Sequence, residues 1–248
     1  MNAPENLTTA GSRWIDLNAD LGEGCPNDRA LLGIVTSASV CCSAHAGSPE
    51  VIRQTLRDAW ARGVVIGAHP GYPDRAGFGR HEQFISSEDG RKLIIEQVGV
   101  LKALAAELGV PVRFLKPHGA LYNQAQRQRG IARGVVAAAA ELGIPLLGQP
   151  GTLLESLAAE QRVSYIAEGF PDRRYHADGS LVPRSEPGAV LQDRDEMEAQ
   201  LLRLMAEGRV ATLCIHGDDP RAVANAQLMR AILQKHAITV RSFRNGRH

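Results

Sequence analysis

Polar residues suited to acid–base catalysis recur at every second position of a short segment near the start of the chain. The segment DLNADLGEG carries Asp16, Asn18 and Asp20 two residues apart, and Glu23 follows them. Residues two apart on a β-strand point to the same side, so these three side chains would share one face. The opposite face would be apolar and would carry Ile15, Leu17, Ala19 and Leu21. A polar face inside a fold is costly unless its groups are paired or used, which predicts a functional site here.

Imidazoles, an amine and further carboxylates stand at the ends of other β-forming runs. The stretch FLKPHGALYN ends one run with Lys116 and His118 two residues apart, and HGDD ends another with His216 and Asp218 in the same spacing. Three further runs end at His45, His69 and Glu168. Together these groups suit general acid–base chemistry on a polar substrate. Histidine and aspartate are also zinc ligands, but no HExxH or comparably tight spacing occurs, so a metal site is the weaker interpretation.

Arginines in two long irregular segments could form a clamp for an anion. Arg75 and Arg80 lie in HPGYPDRAGFGRHEQF, and Arg173, Arg174 and Arg184 lie in GFPDRRYHADGSLVPRSEPG. A guanidinium donates a fork of hydrogen bonds that fits carboxylate or phosphate, although a solvated loop charge is an equally good interpretation of any one of them. The predicted substrate-binding residues are Asn18, Arg75, Glu168 and Arg184. No phosphate-binding loop of the form GxxxxGK[ST] occurs.

The elements that would position these groups alternate regularly between strand and helix. Strands are predicted at 14–19, 40–44, 64–68, 112–116, 145–148, 163–167 and 211–215, with a weaker eighth at 238–243. Helices are predicted at 27–37, 49–62, 88–108, 120–142, 153–160, 194–207 and 221–235. Such alternation predicts a parallel sheet, and a length of 248 residues favours a closed or nearly closed β/α barrel over a doubly wound open sheet. Since such folds gather their site at the carboxyl ends of the strands, the polar groups above should meet in one pocket.

Composition narrows the function further. The formal net charge is +1 and aromatic residues make up 4% of the chain, so neither nucleic acid nor an acidic membrane surface is an expected partner. Cys25, Cys41, Cys42 and Cys214 show no disulfide or CxxC pattern and are expected to be free thiols. The first dozen residues are polar and predict a mobile tail at 1–12, followed by a single domain at 13–248. With no apolar leader, a cytoplasmic protein is expected.

Five motifs, in this order, resemble the LamB/YcsF family: DLNADLGEG, GAHPGYPDRAGFGR, KPHGALYN, DGSLVPRSEPGAV and IHGDDP. The resemblance covers nearly the whole chain from about Trp14. It implies a distorted, seven-stranded β/α barrel of the polysaccharide-deacetylase-like group. The polar motif residues of the family fall on Asp16, Asn18, Asp20, Glu23, His45, His69, Lys116, His118, His216 and Asp218. Two departures are Ala44, where the family usually has an aromatic residue, and a shorter segment before IHGDD.

The resemblance also implies an activity, a cofactor and partners. Members of this family act as the A subunit of a bacterial ATP-dependent 5-oxoprolinase, which cleaves 5-oxo-L-proline to L-glutamate with hydrolysis of ATP to ADP and phosphate. Subunits B and C would be the partners, ATP with Mg²⁺ would be the cofactor, and self-association stays open. In that reaction the strand-end carboxylates would position or deprotonate water, and His118 or His69 would protonate the leaving nitrogen. Lys116 would offset charge that develops on oxygen.

Two other functions remain open at this stage. The aspartates and histidines could hold a metal in a carbohydrate deacetylase or another hydrolase, or the pocket could bind a ligand without catalysis. The identity of the general base and the subunit that carries phosphoryl transfer are also open.

Overall fold

In the described part of the chain, seven parallel strands form one curled sheet. The computed structural model describes residues 13–184 and 186–243, so the predicted tail at 1–12 and the last five residues lie outside the described part. The strands are β1 Trp14–Leu21, β2 Ser37–Cys41, β3 Val65–His69, β4 Leu146–Gly148, β5 Tyr165–Gly169, β6 Thr212–His216 and β7 Thr239–Val240. Their order is β3-β2-β1-β6-β5-β4, and β7 pairs with the beginning of β1.

A single-residue bridge joins the two edges of this sheet. Leu115 pairs in parallel with Ala68 of β3 and with Leu146 of β4. Its backbone N–H donates to Pro145 at 2.8 Å, and the next N–H, of Lys116, donates to Ala68 at 2.9 Å. The predicted strand at 112–116 is therefore reduced to this bridge. The curled sheet and its bridged edges confirm the predicted distorted β/α barrel.

Helices cover the outside of the sheet. They are α1 Asp28–Leu31, α2 Pro49–Ala61, α3 Ser87–Ala106, α4 Gly119–Arg127, α5 Arg129–Leu142, α6 Leu153–Glu160, α7 Arg194–Glu207 and α8 Ala222–Lys235. Ser48 caps α2 by accepting from the backbone N–H of Val51 at 3.3 Å, and proline stands at the next position. The helix predicted at 120–142 is broken because Gln128 has extended backbone angles, φ −107° and ψ 111°.

The region between β1 and α2 differs most from the prediction. A helix was expected at 27–37 and a strand at 40–44, whereas α1 ends at Leu31 and β2 already begins at Ser37. Ser37 and Ser39 are fully buried, and Ser37 bonds to a residue of β1. Strands are usually recognised by β-branched residues, and serine is not one of them. The beginning of β2, whose serines point into the barrel, was therefore not predicted as a strand. As a result, His45 lies in the loop after β2 rather than at its end.

The two faces of β1 have the predicted characters. Its apolar face belongs to the main core with the helices, through Ile15, Leu17, Ala19 and Leu21. Inside the barrel, Val65, Phe114, Leu147 and Ile166 form a separate apolar cluster against which Phe243 packs. Gly67 is required there because a Cβ atom would overlap the Phe114 ring. Among the described residues, no helix is long and apolar enough to cross a membrane.

Candidate functional site

The polar side chains of different strands meet inside the barrel and at one mouth. Asp20 of β1 lies 2.8 Å from Lys116 Nζ and 3.5 Å from His69 Nε2 of β3. A ring nitrogen of His216 from β6 lies within 4.8 Å of a carboxylate oxygen of Asp20 and of Cys214 Sγ. Parallel strands aim their carboxyl ends the same way, so residues far apart in sequence reach one pocket.

Asp16 lies at the deepest level of this polar interior. Its carboxylate accepts hydrogen bonds from three hydroxyls, those of Thr36 at 2.7 Å, Ser37 at 2.7 Å and Thr212 at 2.5 Å. The side chain is fully buried. Burial raises the pKa of Asp16 to about 6, and the three hydroxyls offset only part of that rise. Although Asp16 was predicted to be catalytic, its contacts are those of a residue that ties β1 to β2 and β6.

The raised pKa of Asp16 gives a stability prediction. Because the folded pKa of about 6 exceeds the ordinary 3.8, the folded state binds more protons than the unfolded state between these values. The stabilising contribution is complete below the unfolded pKa and is lost as pH rises through about 6. We expect wild type to lose about 3 kcal/mol relative to Asp16→Asn between acidic and neutral pH, at 1.36 kcal/mol per pKa unit. Urea unfolding of both proteins across this range measures it, and parallel pH profiles would contradict the assignment.

Lys116 is the centre of the next level. Its ammonium lies 2.8 Å from Asp20 Oδ1, 2.8 Å from Glu168 Oε1 and 3.3 Å from Asn18 Oδ1. Although burial favours the neutral amine, the nearby carboxylates hold the pKa of Lys116 well above its ordinary value. Burial also opposes ionisation of Asp20, but His69 and Lys116 hold its pKa well below the ordinary value. Lys116 is thus engaged by protein groups and positions Asp20 from below.

Asn18 and Glu168, predicted to bind substrate, support this ion pair. Asn18 Nδ2 donates to Glu168 Oε1 at 2.9 Å and to the hydroxyl of Thr212 at 2.8 Å. Both side chains are fully buried below the mouth.

Three histidines and Glu23 form a compact cluster beside Asp20. Glu23 Oε1 lies 3.1 Å from His45 Nε2 and 3.3 Å from His118 Nδ1. The rings of His45 and His118 stack in parallel with centroids 3.8 Å apart. Burial raises the pKa of Glu23 well above its ordinary value, lowers that of His45 to about 3, and lowers that of His118 well below its ordinary value. His118 is therefore not expected to be protonated at neutral pH and is not suited to act as the proton donor.

His216 stands at the open end of the site beside a carboxylate. Its Nδ1 lies 3.4 Å from Asp172 Oδ2, and its ring stacks on Phe170 with centroids 5.5 Å apart. Burial lowers the pKa of His216, and nearby Arg184 adds to the effect. Although burial opposes its ionisation, Asp172 has a lowered pKa because His216 donates to it. The imidazole is thus a neutral base held by an anionic partner.

Two arginines carry positive charge at the rim. Arg80 forms an ion pair with Asp218, and Arg184 Nη1 lies 3.5 Å from the other oxygen of that carboxylate. A guanidinium carries five N–H donors, so this pair of arginines can also donate to an anion at the rim. Arg75, predicted to bind substrate, instead donates to the backbone carbonyls of Ser43 at 2.8 Å and Gly47 at 2.6 Å and so fixes the loop after β2.

Sequence reasoning missed Asp172 and Cys214. Cys214 precedes His216 by two positions on β6 and therefore faces the interior, where its Sγ lies 3.0 Å from Lys116 Nζ. The period of two could have identified it. Asp172 lies in the irregular segment after β5, where no periodic pattern indicates which way a side chain points.

Comparison with known proteins places the chain in a family. The sequence model of the LamB/YcsF family matches residues 15–248. The chain belongs to the LamB/YcsF family. A relative from Neisseria meningitidis serogroup C (strain 053442), named as the A subunit of 5-oxoprolinase, is 42% identical over 242 residues, which cover 92% of this chain and 99% of the relative. The LamB/YcsF assignment confirms the resemblance drawn from the five motifs.

Solved structures agree with this LamB/YcsF fold. The crystal structure of a lactam utilization protein from Thermus thermophilus superposes with a TM-score of 0.85 at 38% identity, covering 93% of this chain and 100% of that one. The catalytic domain of a peptidoglycan N-acetylglucosamine deacetylase from Eubacterium rectale superposes with a TM-score of 0.54 at 10% identity, covering 97% and 92%. The second likeness concerns the fold alone and confirms the predicted deacetylase-like barrel.

Proposed function

We propose that this chain is the lactam-opening subunit of an ATP-dependent 5-oxoprolinase that converts 5-oxo-L-proline to L-glutamate. The observation that carries the proposal is one mouth that combines Asp20, the His216–Asp172 pair and two rim arginines. The names of two relatives, one the A subunit of 5-oxoprolinase and the other a lactam utilization protein, support the same substrate class. The assembly includes subunits B and C, uses ATP with Mg²⁺, and operates in the cytoplasm.

The substrate explains why these groups are needed. 5-Oxoproline is a five-membered lactam that bears a carboxylate, and its amide carbonyl is a poor electrophile. Phosphorylation of the amide oxygen by ATP makes the carbonyl carbon a better target for water. The protein must then orient that water, remove its proton and deliver a proton to the ring nitrogen as the C–N bond breaks, which leaves an acyl phosphate at the former carbonyl carbon. A second water must cleave this acyl phosphate to give L-glutamate and phosphate.

His216 is the residue best placed to move these protons. As a neutral imidazole it can accept a proton from water and return it to the leaving nitrogen, while Asp172 holds the ring orientation and stabilises the transient imidazolium. Asp20, fixed by Lys116, accepts a hydrogen bond from the attacking water. This assignment moves the proton transfer expected of His118 or His69 to His216, and it gives Lys116 a positioning role.

The rim arginines bind the substrate carboxylate in this proposal. Removing one arginine–carboxylate contact costs about 1.5–3 kcal/mol. We therefore expect Arg184→Gln to raise KM for 5-oxoproline about 10- to 150-fold, since 1.4 kcal/mol is tenfold, with a smaller change in kcat. Arg174→Gln is the matched control, because Arg174 donates to Gly188 and Glu196 in the same loop region. Equal KM values for the two variants would show that Arg184 does not bind substrate.

The activity itself is tested by reconstitution. The chain, subunits B and C, ATP and 5-oxoproline are combined, and glutamate and ADP are measured together. We expect 5-oxoproline-dependent glutamate only when all three subunits are present. Absence of glutamate from the complete assembly would remove the proposal.

A second candidate, a metal-dependent hydrolase of acetylated sugars, is favoured by the convergence of Glu23, His69 and His118. Release of acetate from an acetylated sugar by the chain alone would support it.

A further inference from the structure

Two histidine nitrogens face each other inside the barrel. His69 Nε2 and His118 Nδ1 are 3.0 Å apart. The other nitrogen of each ring lies 2.8 Å from a backbone carbonyl, His69 Nδ1 from Lys116 O and His118 Nε2 from Phe78 O. A carbonyl only accepts, so these outer nitrogens carry the hydrogens. A neutral imidazole that carries its hydrogen on the outer nitrogen presents a lone pair at the facing nitrogen.

The side chain of Glu23 places a third hydrogen-bond acceptor beside these two nitrogens. Glu23 Oε1 lies 3.3 Å from His118 Nδ1 and 3.9 Å from His69 Nε2. His45 Nε2 lies 3.1 Å from the same oxygen and orients it by donating a hydrogen bond. Three acceptors converge in a site where all four side chains are buried. A proton or a metal ion held between these groups would relieve the repulsion of their lone pairs.

Cationic side chains near the cluster are engaged by other groups, Arg80 by Asp218 and Arg75 by backbone carbonyls. Asp20 Oδ2 approaches His69 Nε2 to 3.5 Å and adds negative charge. The ammonium of Lys116 is engaged by Asp20 and Glu168 on the other side of Asp20. The cluster thus offers a carboxylate oxygen and two imidazole nitrogens as ligand atoms for a cation.

We propose that Glu23, His69 and His118 bind a divalent transition metal of the zinc class. With bonds of about 2.0–2.2 Å, the edges of a tetrahedron measure about 3.3–3.6 Å. The three separations of 3.0, 3.3 and 3.9 Å bracket that range. Three protein ligands leave a fourth position open. Imidazole nitrogen favours Zn²⁺, Co²⁺ or Fe²⁺ over Mg²⁺ and Ca²⁺, which prefer oxygen.

The outer contacts are those that metal-binding histidines require. The carbonyls of Lys116 and Phe78 fix which nitrogen of each ring is free. The loop after β3 packs tightly on the rings through glycine. A Cβ atom at Gly71 would lie 2.9 Å from His45 Nδ1, and one at Gly79 would lie 3.0 Å from His118 Cδ2. The glycines of HPGYPDRAGFGR thus let the loop hold the cluster. A bound dication would polarise a carbonyl or acidify water.

The proposal goes beyond the 5-oxoprolinase assignment, and its test does not use enzymatic activity. The full chain is stripped with a chelator, dialysed and titrated with Co²⁺, whose visible absorption reports coordination, and bound Zn²⁺ is measured by elemental analysis. We expect one equivalent per chain, unaffected by excess Mg²⁺. Zn²⁺ should also raise the thermal unfolding midpoint of wild type.

Variants locate the site. His118→Gln and Glu23→Gln should weaken Co²⁺ binding by at least the roughly 10–100-fold that loss of an outer contact costs. His81→Gln is the matched control, because His81 is an exposed histidine that bonds to Asp74, and it should bind as wild type does. Circular dichroism checks that each variant is folded. Wild type that binds no stoichiometric Co²⁺ or Zn²⁺ would overturn the proposal and would indicate a proton shared by His69 and His118. Equal affinity of wild type and a folded His118→Gln would also overturn it.

Discussion

Replacing Lys116 by methionine is expected to destabilise the folded chain by about 3–5 kcal/mol. Lys116 is only 2% exposed, and its ammonium lies 2.8 Å from both Asp20 and Glu168. Methionine is one heavy atom shorter than lysine and similarly unbranched, but it leaves two buried carboxylates without the ammonium. Urea unfolding at neutral pH measures the loss, and the same variant should turn over little 5-oxoproline because Asp20 is no longer held.

Two further variants separate charge from packing. Adding Glu168→Gln to Lys116→Met removes one uncompensated carboxylate and should recover part of the lost stability. Lys235→Met is the surface control: its ammonium lies 2.6 Å from Glu198 but is 61% exposed, so it should cost about 1 kcal/mol or less. If Lys116→Met were as stable as Lys235→Met, the buried ion pair would not have the role described for it.

Replacing His216 by asparagine is expected to lower kcat for glutamate formation by about 10²–10⁴-fold in the assembly with subunits B and C. The variant removes the nitrogen that would accept and return the proton in the proposed mechanism. KM should change little, because that mechanism assigns binding of the substrate carboxylate to the rim arginines. The free energy of unfolding should stay close to that of wild type, because His216 is partly exposed at the mouth.

His236→Asn is the matched control for this experiment, since His236 also pairs with a carboxylate, Glu198 at 2.9 Å, but on the outer surface. Asp172→Asn should reduce kcat less than His216→Asn, because the imidazole remains and loses only its anionic partner. Near-wild-type kcat in a folded His216→Asn assembly would place the proton transfer elsewhere.

The sequence predicted which side chains of a strand face the interior better than it predicted how deep each one lies along the barrel axis. On β1 the period of two correctly separated Asp16, Asn18 and Asp20 from their apolar neighbours. The same pattern could not tell that Asp16 lies beneath three hydroxyls while Asp20 reaches the mouth. Height depends on the stagger of neighbouring strands, which is set by pairing such as Asp20 with His216. One-dimensional periodicity carries no such information.

Local chemistry predicted caps but not every element. Ser48 and Thr152 cap their helices as expected, because an N-cap needs only neighbouring residues. The predicted position of β2 was wrong by three residues because its serines are typical of a loop. The strand predicted at 112–116 is only the Leu115 bridge, because this segment lies between two sheet edges. Both outcomes depend on partners distant in sequence.

The sequence predicted which residues form the site better than it predicted what each residue does. His69, His118 and Glu23 were identified as polar motif residues, yet only their distances reveal converging lone pairs. Arg75 and Arg184 were equivalent in the sequence, and the structure separates them because Arg75 is occupied by backbone carbonyls whereas Arg184 lies at the rim.

The most direct test of the account is a crystal structure of the chain with 5-oxoproline bound. We predict the lactam at the barrel mouth, with its carboxylate in contact with Arg184 and its ring nitrogen near His216. A second cleft of about 560 Å³ lies elsewhere and is lined by Arg62, Arg230 and Arg241 among others. Lactam found in that cleft, with the mouth free of substrate, would contradict the account.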